Sequence, residues 1–72
     1  MLELAKKLNA IQDKFDMTDQ EMANKIGCSR QWYNAIRRDQ QTPGMKLWSL
    51  LRQAFPDELG KLASEAIAEM LK

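Results

Sequence analysis

The chain has 72 residues, a net charge of +1, one cysteine and no histidine. A core of this size usually nets only about 3–5 kcal/mol, so we expect one small domain that gains stability from an extra docked helix or a dimer partner. The composition argues against an internal disulfide, a zinc site and the usual general base, so we expect no enzyme, no metal and no cofactor. No apolar run approaches the roughly 18 residues of a membrane span, and no signal peptide is evident, so we expect a cytoplasmic protein that does not associate with membranes.

Positive charge is concentrated in the middle of the chain. Residues 29–53 contain five basic side chains and one acidic side chain, whereas both flanking segments contain more acidic than basic residues. A local excess of this kind is typical of a DNA-binding face, although the net charge of the whole chain is not. The basic residues are Arg30, Arg37, Arg38, Lys46 and Arg52.

The first predicted element is an amphipathic helix over about residues 2–15. Apolar residues recur at the spacing i, i+4, i+7, i+11, which places them on one face of a helix. The side chains on that predicted buried face are Leu4, Leu8, Ile11 and Phe15.

Thr18 begins a second predicted helix. Thr18 followed three residues later by Glu21 forms a capping box, in which each side chain satisfies a backbone N–H at the helix start. Gly27 then ends the helix, because glycine enters the left-handed conformation without a Cβ penalty. The predicted buried face of this helix is Met22, Ala23 and Ile26.

A third predicted helix begins after Ser29, which can cap it, and buries Tyr33 and Ile36 at i, i+3 spacing. Trp32 is adjacent to Tyr33, and both cannot face inward. We expect Trp32 at the edge of the core, with DNA contact as the less favoured alternative. Cys28, in the turn before this helix, is expected to be a small buried thiol.

The second and third predicted helices carry a small residue, a turn glycine and two apolar residues at the spacing that two helices crossing near a right angle require. With the capping box and the Thr-Pro pair after the third helix, this spacing resembles the helix-turn-helix family of the lambda-repressor, Cro and XRE type over roughly residues 8–55. The resemblance implies an all-α fold of five helices, with helices 2 and 3 as the helix-turn-helix within a DNA-binding domain of residues 1–56. The residues that carry the spacing are Ala23, Gly27, Tyr33 and Ile36.

The chain after the third helix predicts a fourth helix that is almost entirely apolar. Asp39 stands where the family usually has glycine, and aspartate tolerates the left-handed conformation better than most residues. Thr42 is expected to cap the fourth helix with Pro43 at its first position, and Phe55-Pro56 to end it.

Residues 57–72 predict a C-terminal amphipathic helix about four turns long, with an unbroken apolar stripe. The stripe either docks on its own domain or pairs with a second copy of the chain, and part of it can serve each purpose. Its residues are Leu59, Leu62, Ala63, Ala66, Ile67, Met70 and Leu71.

The resemblance also implies which residues contact DNA. A recognition helix presents its N-terminal residues to base edges in the major groove, where arginine pairs with guanine and glutamine or asparagine with adenine. The expected base-contacting residues are Arg30, Gln31, Asn34 and Ala35. The expected phosphate contacts are Ser29, Arg37, Arg38, Gln40, Gln41 and Lys46.

Two residues depart from the family pattern. Asp19 replaces a glutamine that touches phosphate in many relatives, and a carboxylate there is expected to repel DNA. Arg37 replaces a glutamate, so we expect the family's internal ion pair to be lost.

The resemblance, with the basic middle of the chain, implies a sequence-specific, nucleoid-associated transcriptional regulator of the phage or prokaryotic Cro or repressor type. Its expected partners are double-stranded operator DNA and a second copy of the chain, with no small-molecule substrate. The alternative is a protein-interaction module, such as an antirepressor or adaptor, that no longer binds DNA. Asp19 and the near-neutral net charge favour this alternative.

Overall fold

The computed structural model describes residues 2–71. Within that range every regular element is an α-helix, which confirms the predicted all-α class. The residues divide into two compact units, one ending at Thr42 and the other beginning at Pro43. The first unit contains α1 (Leu2–Lys14), α2 (Asp19–Ile26) and α3 (Arg30–Arg37), and the second contains α4 (Met45–Ala54) and α5 (Pro56–Met70).

The apolar face of α1 is buried as predicted up to Ile11, but Phe15 is not. Leu4, Leu8 and Ile11 are buried, whereas Phe15 is 49% exposed. Phe15 is the first residue after the helix ends at Lys14, and the backbone leaves the helical path at Asp16, where φ is 51°. The Lys14 ammonium instead lies 5.3 Å from the centre of the Phe15 ring, a cation–π distance.

Two aspartates end helices in the left-handed conformation. Asp16 has φ 51° after α1, and Asp39 has φ 59° after α3. The Met17 N–H donates to the Gln12 carbonyl and the Gln40 N–H to the Ala35 carbonyl, which is the wider bond of a Schellman turn. The left-handed backbone expected at Asp39 is confirmed, and Asp16 shows the same geometry.

The capping box that begins α2 is present as predicted. The Glu21 N–H donates to Thr18 Oγ1 at 3.2 Å, and the Thr18 N–H donates to Glu21 Oε1 at 3.0 Å. Gly27 ends the helix at φ 92°, in the left-handed region. The predicted inner face is also confirmed, since Met22, Ala23 and Ile26 are buried.

The start of α4 differs from the prediction. Gly44 is its N-cap, with an extended backbone and no side-chain cap, so Thr42 and Pro43 lie before the helix. The Pro43 ring is fully buried in the loop, and Gly44 already has the extended conformation that an N-cap requires. The helix ends at Phe55 as predicted, and Pro56 is the first residue of α5, where its missing N–H costs no hydrogen bond.

In the second unit, α4 and α5 both contribute buried residues. The apolar stripe of α5 is buried only in its first half: Met70 is 42% and Leu71 is 71% exposed. Ala66 and Ile67, between the two halves, are partly exposed. The chain divides into its two units after Thr42. The predicted boundary after Pro56, between a DNA-binding domain and a C-terminal helix, lies at the start of α5 and stays a prediction. The buried core residues of this unit are Trp48, Leu51, Phe55, Leu59, Leu62 and Ala63.

Candidate nucleic-acid interface

The orientation of α3 is fixed by its cap and by two buried side chains. Ser29 Oγ accepts a hydrogen bond from the Trp32 N–H at 3.1 Å. Tyr33 and Ile36 are buried, as the sequence predicted. Because a helix turns by about 100° per residue, burying these two positions directs the side of the helix that carries Gln31 outward. Arg30, on the flank of the helix, is exposed in its first turn.

The outward side of α3 is polar and basic. Ser29, Arg30 and Gln31 are exposed, and Asn34 and Ala35 are partly exposed. The helix sequence contains no acidic residue, so arginine guanidiniums and amides define its surface.

The remaining expected phosphate contacts fall into two groups. Arg38, Gln40 and Gln41 are exposed at and after the end of α3, in the first unit. Lys46 belongs to the second unit, where it is exposed in the first turn of α4. The exposed Asp39 places one carboxylate beside the first group.

Asn34 uses part of its amide within α3. Its Nδ2 donates to the Arg30 carbonyl at 3.2 Å, and its Oδ1 accepts from Arg37 Nη2 at 3.3 Å. The side chain is thus held along the helix surface. One Nδ2 hydrogen and one Oδ1 lone pair are left for a further partner, in the orientation that these two bonds set.

Arg37 is bound inside the first unit. Its Nη2 lies 3.4 Å from Asp19 Oδ2, and its Nη1 donates to Asn9 Oδ1 at 3.1 Å. Asn9 Nδ2 in turn donates to the Arg37 carbonyl at 3.2 Å. With the glutamate the family's ion pair is expected to be lost; the structure gives Arg37 an ion pair of its own, with Asp19. The first turn of α2 supplies the carboxylate, a pairing that the family pattern did not suggest.

The same ion pair changes the effect that the Asp19 carboxylate is expected to have on DNA binding. Its carboxylate also accepts a hydrogen bond from Gln12 Nε2 at 2.8 Å. The Gln12 bond, helped by the Arg37 charge and opposed by partial burial, holds the pKa of Asp19 below its usual value. Asp19 stays ionised, but a neighbouring cation balances its charge, which reduces the expected repulsion of a phosphate.

Gln12 continues the network to Tyr33. The Tyr33 hydroxyl donates to Gln12 Oε1, so one α1 amide joins α2 to α3. Burial of the phenol raises the pKa of Tyr33 to about 12. Sequence reasoning did not single out Asn9 or Gln12. Both flank the apolar stripe of α1 at i, i+3, but that position alone does not reveal a partner.

Trp32 lies beside the polar face and is 48% exposed. Its side chain, with those of Gln31, Ala35 and Gln41, lines a shallow open depression in the surface of the first unit. The predicted edge position of Trp32 is confirmed. Packing of the core does not require a half-exposed indole in a depression that two amide side chains also line.

Cys28 in the turn before α3 is only partly buried, rather than fully buried as predicted. Burial nevertheless raises the pKa of its thiol, which favours the neutral, less reactive form. Among residues 2–71, no group of three or more histidine, cysteine, aspartate or glutamate side chains is placed to hold a metal ion. No helix in the same range is both long enough and apolar enough to cross a membrane.

No protein-family model matches the chain, and comparison with curated proteins and with solved structures also gives no match.

Proposed function

We propose that this protein is a sequence-specific DNA-binding regulator of the helix-turn-helix type, in which α3 enters the major groove. The observation that carries the proposal is the outward side of α3. It presents exposed Arg30 and Gln31 near the helix start while buried Tyr33 and Ile36 anchor the helix in the core. An α-helix fits the major groove of B-DNA, where these two side-chain types have base-specific partners.

Base readout is assigned chiefly to the first turn of α3. Arg30 is suited to the two acceptors of guanine, and Gln31 to the donor and acceptor of adenine; each such pair discriminates by about 1–3 kcal/mol. Asn34 ranks behind them, because its amide already bonds to Arg30 and Arg37. Ala35 offers only a methyl group.

Phosphate contacts are assigned to exposed groups at both ends of α3. Ser29 lies at the start, and Arg38, Gln40 and Gln41 lie at and beyond the end. Arg37 is a weaker candidate than its charge suggests, since its guanidinium is already paired with Asp19. Lys46 remains a candidate from the second unit.

The proposal includes a homodimer. Symmetric readers of this type contact two half-sites about 34–36 Å apart. The exposed Met70 and Leu71 continue the apolar stripe of α5 beyond its buried half, and they supply a surface for a second copy. The regulatory effect is occupancy, in which the bound protein blocks or positions RNA polymerase.

The test starts by selecting bound duplexes from a random pool and then measures affinity by fluorescence anisotropy at two salt concentrations. Arg30→Ala should flatten the sequence preference with little change in binding to random duplex. Arg38→Ala should weaken binding to all duplexes and reduce the slope of log K against log salt by about 1.

Lys61→Ala is the matched control, because it removes one exposed cation from α5 instead of α3. It should leave both preference and salt slope near the parent values. If the parent chain binds no duplex at low salt, or if all three variants behave alike, the DNA-binding proposal fails.

The second candidate, a protein-interaction module, is supported by the exposed apolar end of α5. The ion pair at Asp19 weakens the main reason for it, since the carboxylate that seemed to oppose DNA is balanced by Arg37. A chain that binds no DNA at low salt yet forms a stoichiometric complex through Met70 and Leu71 would favour this candidate.

A further inference from the structure

We infer that the depression beside α3 reads an A·T base pair, with Trp32 and Ala35 contacting the thymine 5-methyl group and Gln31 contacting adenine. The inference rests on the proposed function and names one element of its target sequence. This gives Trp32 a role in sequence specificity. Its side chain is exposed, so its position in the fold allows such a contact.

The chemistry of the lining matches one base pair better than the others. In the major groove an A·T pair presents an acceptor and a donor on adenine, with an acceptor and a methyl group on thymine. The depression combines the amides of Gln31 and Gln41 with the methyl group of Ala35 and the indole of Trp32. A G·C pair has no methyl group to contact the apolar side of the depression, which Trp32 and Ala35 form.

The apolar side of the depression is accessible to DNA without rearrangement of the core. Trp32 is 48% exposed, while its neighbour Tyr33 is buried and holds the helix in place. Gln31 and Ala35 are four residues apart, so they lie on one side of α3, one turn from each other. Exposed Arg30, next to Gln31 in sequence, supplies positive charge near the same surface.

The probe is the duplex that the parent protein selects from a random pool, synthesised with each thymine replaced in turn by deoxyuridine. This change removes only the 5-methyl group and keeps base pairing intact. At one thymine in each half-site, the parent protein should bind the deoxyuridine duplex about fourfold more weakly, the effect of one buried methyl group (about 0.8 kcal/mol).

Trp32→Ala should bind the thymine and deoxyuridine duplexes with nearly equal affinity, so the fourfold difference disappears in a double-mutant cycle. Trp32→Phe should retain most of the difference, because it keeps an aromatic surface. Phe15→Ala is the matched control: it truncates a similarly exposed aromatic residue outside α3 and should preserve the difference.

The two proposals fail in different ways. Absence of any duplex binding overturns the DNA-binding function itself. Sequence-specific binding with no penalty at any deoxyuridine position overturns only the methyl contact. A penalty that persists unchanged in Trp32→Ala also overturns the assignment, because the methyl group would then be read elsewhere.

Discussion

The Arg37 guanidinium lies 3.4 Å from the Asp19 carboxylate, so the last turn of α3 is tied to the first turn of α2. Asn9 and Gln12 extend this contact to α1, and Tyr33 completes it from the buried side of α3. The polar network therefore joins all three helices of the first unit. The network fixes the position of α3, the helix that we propose enters the major groove.

The first prediction concerns the coupling between Asp19 and Arg37. Both side chains are about a quarter exposed, so the direct interaction should be modest, about 0.5–1 kcal/mol. A double-mutant cycle with Asp19→Asn and Arg37→Met, followed by urea denaturation, measures it. Arg38→Met, which removes an exposed cation one position away, should show almost no coupling to Asp19→Asn. Equal coupling for both arginines would mean that only general charge matters.

The second prediction is the acid dependence of stability. The pKa of Asp19 is lowered in the folded state, so its contribution is present above the unfolded value near 3.8 and is lost as pH falls through the lower folded pKa. The parent should therefore lose stability below about pH 4 relative to Asp19→Asn. Urea midpoints across this range give the difference between the two proteins. A constant difference at all pH values would contradict the shift.

The third prediction is the dependence of stability on alkaline pH. Tyr33 has its pKa raised to about 12, so the buried neutral phenol contributes stability that is full below pH 10 and declines as pH rises toward 12. Tyr33→Phe should cost about 1 kcal/mol at neutral pH, through the lost bond to Gln12. Its stability should then fall less steeply than the parent's above pH 10. The chain has one tyrosine, so absorbance of the phenolate reports the pKa of Tyr33 directly.

Local signals predicted the first unit well, because they depend on residues close in sequence. The capping box at Thr18 and the left-handed Gly27 involve contacts within a single turn, and both are present. The predictions fail where a contact between residues far apart in sequence, or the exact end of a helix, determines the structure. Phe15 followed the helical period but lies past the end of α1, and Thr42 had a good capping side chain but α4 begins after Gly44.

In the candidate site, too, local sequence patterns predicted local features but not the long-range contacts. The outward direction of Gln31 followed from the inward direction of Tyr33 and Ile36, which periodicity alone predicts. Arg30, three residues before Tyr33, is exposed on the flank of the helix. The pairing of Arg37 with Asp19 spans 18 residues, and no local pattern indicates it. Gln12 and Asn9 were missed for the same reason, because a polar residue at the edge of an apolar stripe is usually solvated.

The fourth prediction uses the left-handed backbone of Asp16. Its φ of 51° is strained for a residue with a Cβ, and glycine adopts it without that cost. Asp16→Gly should raise the free energy of unfolding by about 0.5–1 kcal/mol in thermal or urea denaturation. Asp13→Gly is the matched control, since Asp13 lies inside α1, where glycine destabilises a helix. Loss of stability in both variants would show that the backbone at Asp16 is not strained.

The last prediction tests the dimer through the exposed end of α5. Glutamate at Met70 and Leu71 places two charges on the proposed interface, and desolvating them would oppose association. Sedimentation equilibrium should show the parent as a dimer and the double variant as a monomer with unchanged helical content by circular dichroism. Shortening the chain at Pro56 is a poorer test, because it also removes the buried Leu59 and Leu62.

The matched control for the dimer is Leu2→Glu, which adds a charge at another exposed apolar residue, on α1. It should leave the dimer intact. If Leu2→Glu dissociates the dimer and the α5 variant does not, the interface lies on the other unit. A parent that sediments as a monomer at concentrations where it binds DNA would remove the dimer from the proposal, because each chain would then read a single half-site.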